Sequence, residues 1–334
     1  MIKIVFLGTP DFALNSLKKL IENQEIQIEA VITQEDKPVG RKQIITAPPV
    51  KTLALEHNIK VFQPANINKD LELLNWLKEI KADFLVTVAY GQILRSEILS
   101  IAPVINLHAS LLPDFRGPAP INWMIIHGEK TAGLTTMLSD AGIDTGDILL
   151  KASTALDDND TAETLGQKLS ELGADLLTKT LIEFSKIIPE KQKTSDSHVK
   201  QLAPFMDKNL GLIDFTKDHL QLKSANKKQT DFLVELELNA SNIHNLARAL
   251  KPWPQAYFMY DNKKIILEKT AFVEKETQNK KTEITKINKD DGSINMAFVD
   301  GELIIYLVKP EGKNTMKASD WLNGARLNIG STLI

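Results

Sequence analysis

Asn106 and His108 stand two residues apart in an apolar run, Val104-Ile105-Asn106-Leu107-His108. On an extended strand both side chains therefore project from one face. An amide and an imidazole on such a strand cost free energy unless each is hydrogen-bonded or put to use. A satisfied pair of core residues would show the same spacing, and the residues alone leave that open. A second cluster, Ser139-Asp140-Ala141-Gly142-Ile143-Asp144-Thr145-Gly146-Asp147, brings three carboxylates into a glycine-punctuated loop, with Asp144 between the two glycines. Asp and Gly are also ordinary turn residues. Together, Asn, His and Asp are what acyl transfer to an amine requires. A donor must stabilise the oxygen that gains negative charge, worth about 2.7–4 kcal/mol per good donor. A base must take a proton from the attacking nitrogen, and a carboxylate beside a histidine can orient and polarise it. No Ser or Cys nucleophile is implied, which favours direct transfer over a covalent intermediate.

The elements that must position these residues follow from the hydrophobic pattern. Residues 2–7 read as a buried strand, Gly8-Thr9-Pro10-Asp11 as a tight turn, and residues 12–21 as an amphipathic helix. Strands are expected at 26–32, 60–62, 84–88 and 104–108, with helices at 49–57, 70–80 and 92–100. Alternating strands and helices predict an α/β fold, a doubly wound, mostly parallel, Rossmann-like sheet. Asn106 and His108 then sit at the carboxyl end of a strand, where open sheets place their ligands. Gly8-Thr9-Pro10 lacks the glycine spacing that lets a dinucleotide pyrophosphate approach a helix, so that class of ligand is set aside. A helix at 120–127, strands at 133–139 and 147–152, and a long helix at 161–188 complete this part.

Pro189 ends that helix, and the polar stretch that follows reads as a linker. Beyond it the texture changes. A helix at 241–250 precedes short strands at 256–260, 264–268, 282–287, 294–299 and 303–308, separated by Asp-Asn, Asp-Asp-Gly and Asp-Gly turns. That spacing predicts a small β-barrel or sandwich. The expected organisation is a catalytic domain at 1–188, a linker at 189–207 and a strand-rich domain at 208–334.

Composition narrows the function classes. The chain has 334 residues, 43% hydrophobic and 25% charged, which fits a folded globular protein of about two domains. It has no cysteine, which excludes disulfides and thiolate metal sites. The opening apolar run is too short for a signal-peptide core, and no run approaches the roughly 18 apolar residues of a membrane span. A cytoplasmic protein is the plain expectation. Residues 208–334 carry 19 Lys+Arg against 16 Asp+Glu, whereas residues 1–207 carry 21 against 27. The basic lean of the second part fits a polyanionic partner, and equally fits ordinary solvated lysines. None of the histidines outside the strand, at 57, 127, 198, 219 and 244, stands at metal-ligand spacing, so no metal site is expected.

Several segments together resemble the 10-formyltetrahydrofolate-dependent formyltransferases. They are Gly8-Thr9-Pro10-Asp11-Phe12-Ala13, the loop 33–41, Val88-Ala89-Tyr90-Gly91, residues 106–120, residues 140–147 and Pro252-Trp253-Pro254, so the likeness runs along nearly the whole chain. The Asn-x-His-x-Ser-Leu-Leu-Pro and Asp-Thr-Gly elements are common to that broad family and leave the acceptor open. The opening segment, the loop ending Val39-Gly40-Arg41 and the Pro-Trp-Pro resemble the branch that acts on methionyl-tRNA.

The resemblance implies formyl transfer from 10-formyltetrahydrofolate to the amino group of methionyl initiator tRNA; a monomer is the default expectation. It implies a catalytic set of Asn106, His108 and Asp144, with Asn106 donating to the formyl oxygen, His108 assisting, and Asp144 holding His108 and helping proton removal. It assigns the folate to the backbone of Val88, Ala89, Tyr90, Gly91 and Gln92 and to Ser110, Leu111, Leu112 and Pro113. It assigns the acceptor arm of the tRNA to the loop 34–46, with Arg41 and Lys42 reaching phosphate or base edges. It implies an OB-like β-barrel as the C-terminal tRNA-binding domain. Two features depart from the family pattern: Lys42-Gln43-Ile44-Ile45 follows Arg41 where Gly and Lys are common, and residues 216–240 form a longer spacer after Phe215, where the family commonly has Trp. A sugar-nucleotide amine or water as acceptor would use the same three residues, and a non-catalytic RNA-binding protein would have no need to keep them.

Overall fold

The computed structural model describes residues 1–40, 42–193, 202–224, 232–276 and 281–333. The chain forms two compact units, one of residues 1–117, 131–154 and 166–202, the other of residues 118–130, 155–165 and 203–334. The first unit opens with β1 (Ile2–Gly8), a 3-10 turn (Asp11–Ala13), α1 (Leu14–Glu22) and β2 (Ile26–Ile32). A two-stranded antiparallel hairpin follows, β3 (Lys37–Val39) with β4 (Ile44–Thr46). Then come α2 (Pro49–Glu56), β5 (Val61–Phe62), α3 (Leu71–Ile80), β6 (Phe84–Val88), α4 (Ser96–Leu99) and β7 (Val104–His108). After α5 (Pro120–Ile126), which belongs to the second unit, come β8 (Thr131–Leu138), β9 (Ile148–Ala155) and α6 (Ala162–Glu183).

The sheet runs β5-β2-β1-β6-β7-β8-β9. β1 pairs parallel with β2 and β6, β6 pairs parallel with β7, and β7 pairs antiparallel with β8. The order reverses between β1 and β6, so the loops after those strands diverge there and leave a crevice at their carboxyl ends. β6 is buried throughout, and Val5, Leu7, Ile32, Leu73, Leu77 and Val104 pack in one core beneath it. Local chemistry sets the helix ends. The Asp70 carboxylate accepts from Leu73 N at the start of α3, and Lys81 closes that helix in a left-handed conformation, φ 50°.

The helix expected at 92–100 is only the single turn α4. The Gln92 side chain accepts from Ile67 N and donates to Pro64 O, while Asn68 holds Ile93 O and Arg95 N. Backbone spent on the neighbouring loop is unavailable to a helix. The long helix expected to reach 188 ends at Glu183 and is followed by one 3-10 turn, Phe184–Lys186.

The second unit contains β10 (Leu212–Ile213), β11 (His219–Ser224), β12 (Phe232–Glu237), α7 (Ala240–Ala249), β13 (Tyr257–Tyr260), β14 (Lys263–Glu274), β15 (Ile284–Ile287), β16 (Ile294–Phe298), β17 (Gly301–Pro310), β18 (Met316–Lys317) and α8 (Ala318–Ala325). Its main sheet runs β10-β13-β14-β17-β16-β15, with β18 on β17. The domain expected as an OB-like barrel is strand-rich with two helices, and among the described residues its pairings run as an open order. Phe215 packs against Phe258, ring centroids 5.3 Å apart, and Phe258 meets Trp321 edge-on at 5.5 Å. Phe215 is thus a core residue, the part a Trp would play there. The spacer 216–240 holds the antiparallel pair β11–β12, with Leu220, Leu222 and Val234 buried; residues 225–231, including Lys227 and Lys228, lie outside the described residues. On α7, buried His244 bonds Thr270 Oγ1 and the Asp158 carbonyl, each at 2.9 Å, and the Arg248 guanidinium donates to the Asp157 and Asp160 carbonyls at 3.0 Å. His198 lies outside the described residues.

Candidate active site

Parallel pairing of β6 with β7 sets Thr87 directly beside Asn106. The buried Thr87 hydroxyl donates to Asn106 Oδ1 at 2.8 Å. Asn106 Nδ2 has no hydrogen bond among the described residues, which leaves its two N–H groups free to donate. Two residues on, His108 is 6% exposed, and its Nε2 meets the Phe115 carbonyl at 3.1 Å. A carbonyl only accepts, so Nε2 carries a proton, and whenever the ring is neutral its lone pair is on Nδ1. That nitrogen faces Asp144 Oδ2 at 3.6 Å. The separation is too long for a direct hydrogen bond, and it places two proton-accepting groups side by side.

Asp144 is held from several directions. Its Oδ2 accepts from Gly117 N at 2.8 Å. It has φ 53°, a left-handed conformation that a non-glycine residue keeps only where neighbours impose it. The Asp140 carboxylate accepts from Gly142 N and the Thr145 hydroxyl, which closes the loop on itself. Gly146 lies against β8, and a Cβ there would come within 1.7 Å of Leu138 O. Only glycine fits. The loop 110–117 is braced in turn: the Thr135 hydroxyl donates to Ser110 O, Leu112 N donates to Thr135 Oγ1, Ser110 Oγ donates to Asp114 O, and Lys151 Nζ donates to Leu112 O.

Of the residues assigned to the folate, Val88, Tyr90, Ser110 and Leu112 are buried. Burial raises the Tyr90 phenol well above its ordinary range, and its hydroxyl has no hydrogen-bond partner among the described residues. Leu111, Pro113 and Gln92 keep partial exposure, while Ala89 and Gly91 are exposed and both have positive φ, 47° and 85°. These two turn their backbone at the strand end, and the turn is tied to its neighbours by Thr9 Oγ1 and Gln34 Nε2, both donating to Tyr90 O. The loop 34–46 forms the β3–β4 hairpin, with Lys42 exposed in its turn; Arg41 lies outside the described residues. Val39, Ile44 and Ile45 are all more than half exposed on this hairpin. Its base is anchored by Lys51 on the Asp36 carboxylate at 2.8 Å, a bond that holds the Asp36 carboxyl below its usual range.

Sequence reasoning missed Thr87, Arg116, Lys151 and Gln192. A polar residue in the apolar run Phe84-Leu85-Val86-Thr87-Val88 was the available signal for Thr87. The others lack one, because their partners are remote in the chain. Among the described residues no group of three ligating side chains could hold a metal ion, and no helix is long and apolar enough to cross a membrane.

Residues 2–181 match the Formyl transferase family, and residues 227–326 match the Formyl transferase, C-terminal domain family. A methionyl-tRNA formyltransferase of Clostridium novyi (strain NT) is 41% identical, covering 99% of each chain. One from Clostridium perfringens (strain 13 / Type A) is 42% identical over the same shares. In fold, the chain is similar to an N-formyltransferase from Helicobacter canadensis solved with folinic acid and dTDP-3-aminofucose, with TM-score 0.63 and 21% identity over 91% of this chain and 98% of that one. With relatives this close along its full length, the chain belongs to the methionyl-tRNA formyltransferase family.

Proposed function

We infer that the protein transfers the formyl group of 10-formyltetrahydrofolate to the amino group of methionyl initiator tRNA, giving the formylmethionyl-tRNA used in translation initiation. The observation that carries this reading is the 41% identity to methionyl-tRNA formyltransferases across 99% of the chain. The geometry supplies the chemistry. The donor presents a formyl carbon bonded to nitrogen, and the residues available fit it: an unpartnered amide donor, a proton-accepting pair, and exposed strand-end backbone at Ala89 and Gly91.

Asn106 Nδ2 donates to the formyl oxygen as negative charge gathers there, an interaction that strengthens in the transition state. His108 Nδ1 and Asp144 accept the proton that the attacking amine must lose. As the amine nitrogen bonds to the formyl carbon and the carbon's bond to the folate nitrogen breaks, the pair returns that proton to the departing nitrogen. Nε2–H of His108, fixed on the Phe115 carbonyl, keeps the ring from turning Nδ1 away. The folate rests on the backbone of residues 88–92 and on Leu111 and Pro113, while buried Ser110 and Leu112 shape that loop from inside. Arg41 and Lys42 of the loop 34–46 and the basic C-terminal unit meet the tRNA. The protein acts as a monomer in the cytoplasm, where charged tRNA is found.

Incubation of charged initiator tRNA with 10-formyltetrahydrofolate and the purified protein, read by acid-gel mobility, tests the assignment. The tRNA band should shift, and Asn106→Ala should lower the rate about 10²–10³-fold while tRNA affinity stays within a few-fold. An unshifted band with the wild-type protein would overturn it.

A further inference from the structure

We propose that Gln192 is a positioning residue for Asp144, holding the carboxylate in register with His108; the inference rests on the role assigned to Asp144 above. Gln192 lies beyond the long helix, in a stretch that reads as linker, yet it is half-buried against the loop. Glu190 pairs with Ile148 through a reciprocal backbone bridge, which brings the segment alongside the start of β9. From there Gln192 Nε2 donates to the carbonyl of Asp144 itself at 2.9 Å and to that of Gly146 at 2.7 Å. Its Oε1 accepts from Arg116 Nε at 3.0 Å and Nη2 at 2.6 Å.

The orientation of this amide is forced, because carbonyls only accept and a guanidinium only donates. Both ends lead to the same carboxylate. One end grips the backbone of Asp144 in its left-handed conformation. The other fixes Arg116, whose successor Gly117 donates its N–H to Asp144 Oδ2. Asp144 is a mostly buried loop residue with its own backbone strained, φ 53°, so its position relative to His108 depends on what holds the loop from outside. Gln192 does this from a remote point in the chain, touching neither His108 nor Asn106.

Two near-isosteric variants separate this from a merely structural role. Gln192→Leu removes both ends of the clamp. Gln192→Glu keeps the acceptor for Arg116 but turns a carboxylate oxygen toward the two loop carbonyls. In the wild-type formylation assay both variants should lower kcat about tenfold, as expected for the loss of two ordinary hydrogen bonds from a positioned group. KM for folate and for charged tRNA should stay within about twofold. Independently of turnover, hydrogen–deuterium exchange should quicken in peptides covering 140–147 and 114–117 and stay unchanged over β1 and β6. Wild-type-like kcat together with unaltered exchange at 140–147 would overturn the proposal, as would an equal loss spread over kcat, both KM values and the melting temperature. Absence of formylation by the wild-type protein would count against the function inferred above, whereas the exchange measurement would still decide whether Gln192 holds the loop.

Discussion

Asn106 can stabilise a negative oxygen only when Nδ2, and not Oδ1, faces the reacting group. The Thr87 hydroxyl, donating to Oδ1 at 2.8 Å from the neighbouring strand, favours that orientation over the flipped one. Thr87→Val keeps the shape and removes the bond. It should lower kcat about fivefold, the worth of one neutral hydrogen bond, with both KM values little changed, and Thr87→Ser should restore the rate. A valine variant as fast as wild type would show that Asn106 needs no such guide. At this scale Asn106, His108 and Asp144 were legible in the sequence. The two-residue period of a strand puts the first pair on one face, and flanking glycines set the carboxylate apart. Thr87, Arg116 and Gln192 were not, because a hydrogen bond between residues 19, 48 or 76 positions apart leaves no local mark.

The loops between strands are held by close packing as much as by hydrogen bonds. Gly146→Ala would drive a methyl group into Leu138 O, so the Asp144 loop must move away from β8. The expected result is a loss of about 1–3 kcal/mol of stability, typical of overpacking, with a larger fractional loss of kcat than of folate affinity. Denaturant unfolding and steady-state kinetics on one sample would check both. On α7, burial holds the His244 imidazole below its ordinary pKa, and the nearby Arg248 adds to that, while the Asp158 carbonyl and carboxylate oppose it. The folded state therefore prefers neutral His244. As pH falls below about 6.5 the unfolded chain takes up that proton first and stability drops. Unfolding free energies measured from pH 7.5 to 5 should fall more steeply for wild type than for His244→Gln, and parallel curves would refute this. Elements with strong periodicity, β1, β2, β6, β7, α2 and α3, lie where the pattern puts them. The helix expected at 92–100 is only α4, because the Asn68 side chain takes Ile93 O and Arg95 N from its backbone, a contest no local pattern records.

For the molecule as a whole, net charge is −3, with the positive excess confined to residues 208–334. If that part meets a polyphosphate backbone, binding releases counterions. KM for charged tRNA should then rise steeply between low and moderate salt, while KM for 10-formyltetrahydrofolate stays nearly flat; equal sensitivity of the two would remove the charge argument. By itself the sequence determined the class of sheet and the presence of a strand-rich second part, and it pointed to Asn106, His108 and Asp144 as a set suited to acyl transfer to an amine. Those follow from periodicity and residue chemistry, which act over a few positions. Only the tertiary structure decided that the sheet order reverses between β1 and β6, that His108 Nε2 rests on the Phe115 carbonyl and so leaves Nδ1 to face Asp144, and that Gln192 holds the Asp144 loop. Each of these depends on segments remote in the chain meeting in space. Burial and the satisfaction of backbone polar groups across the whole unit choose such meetings.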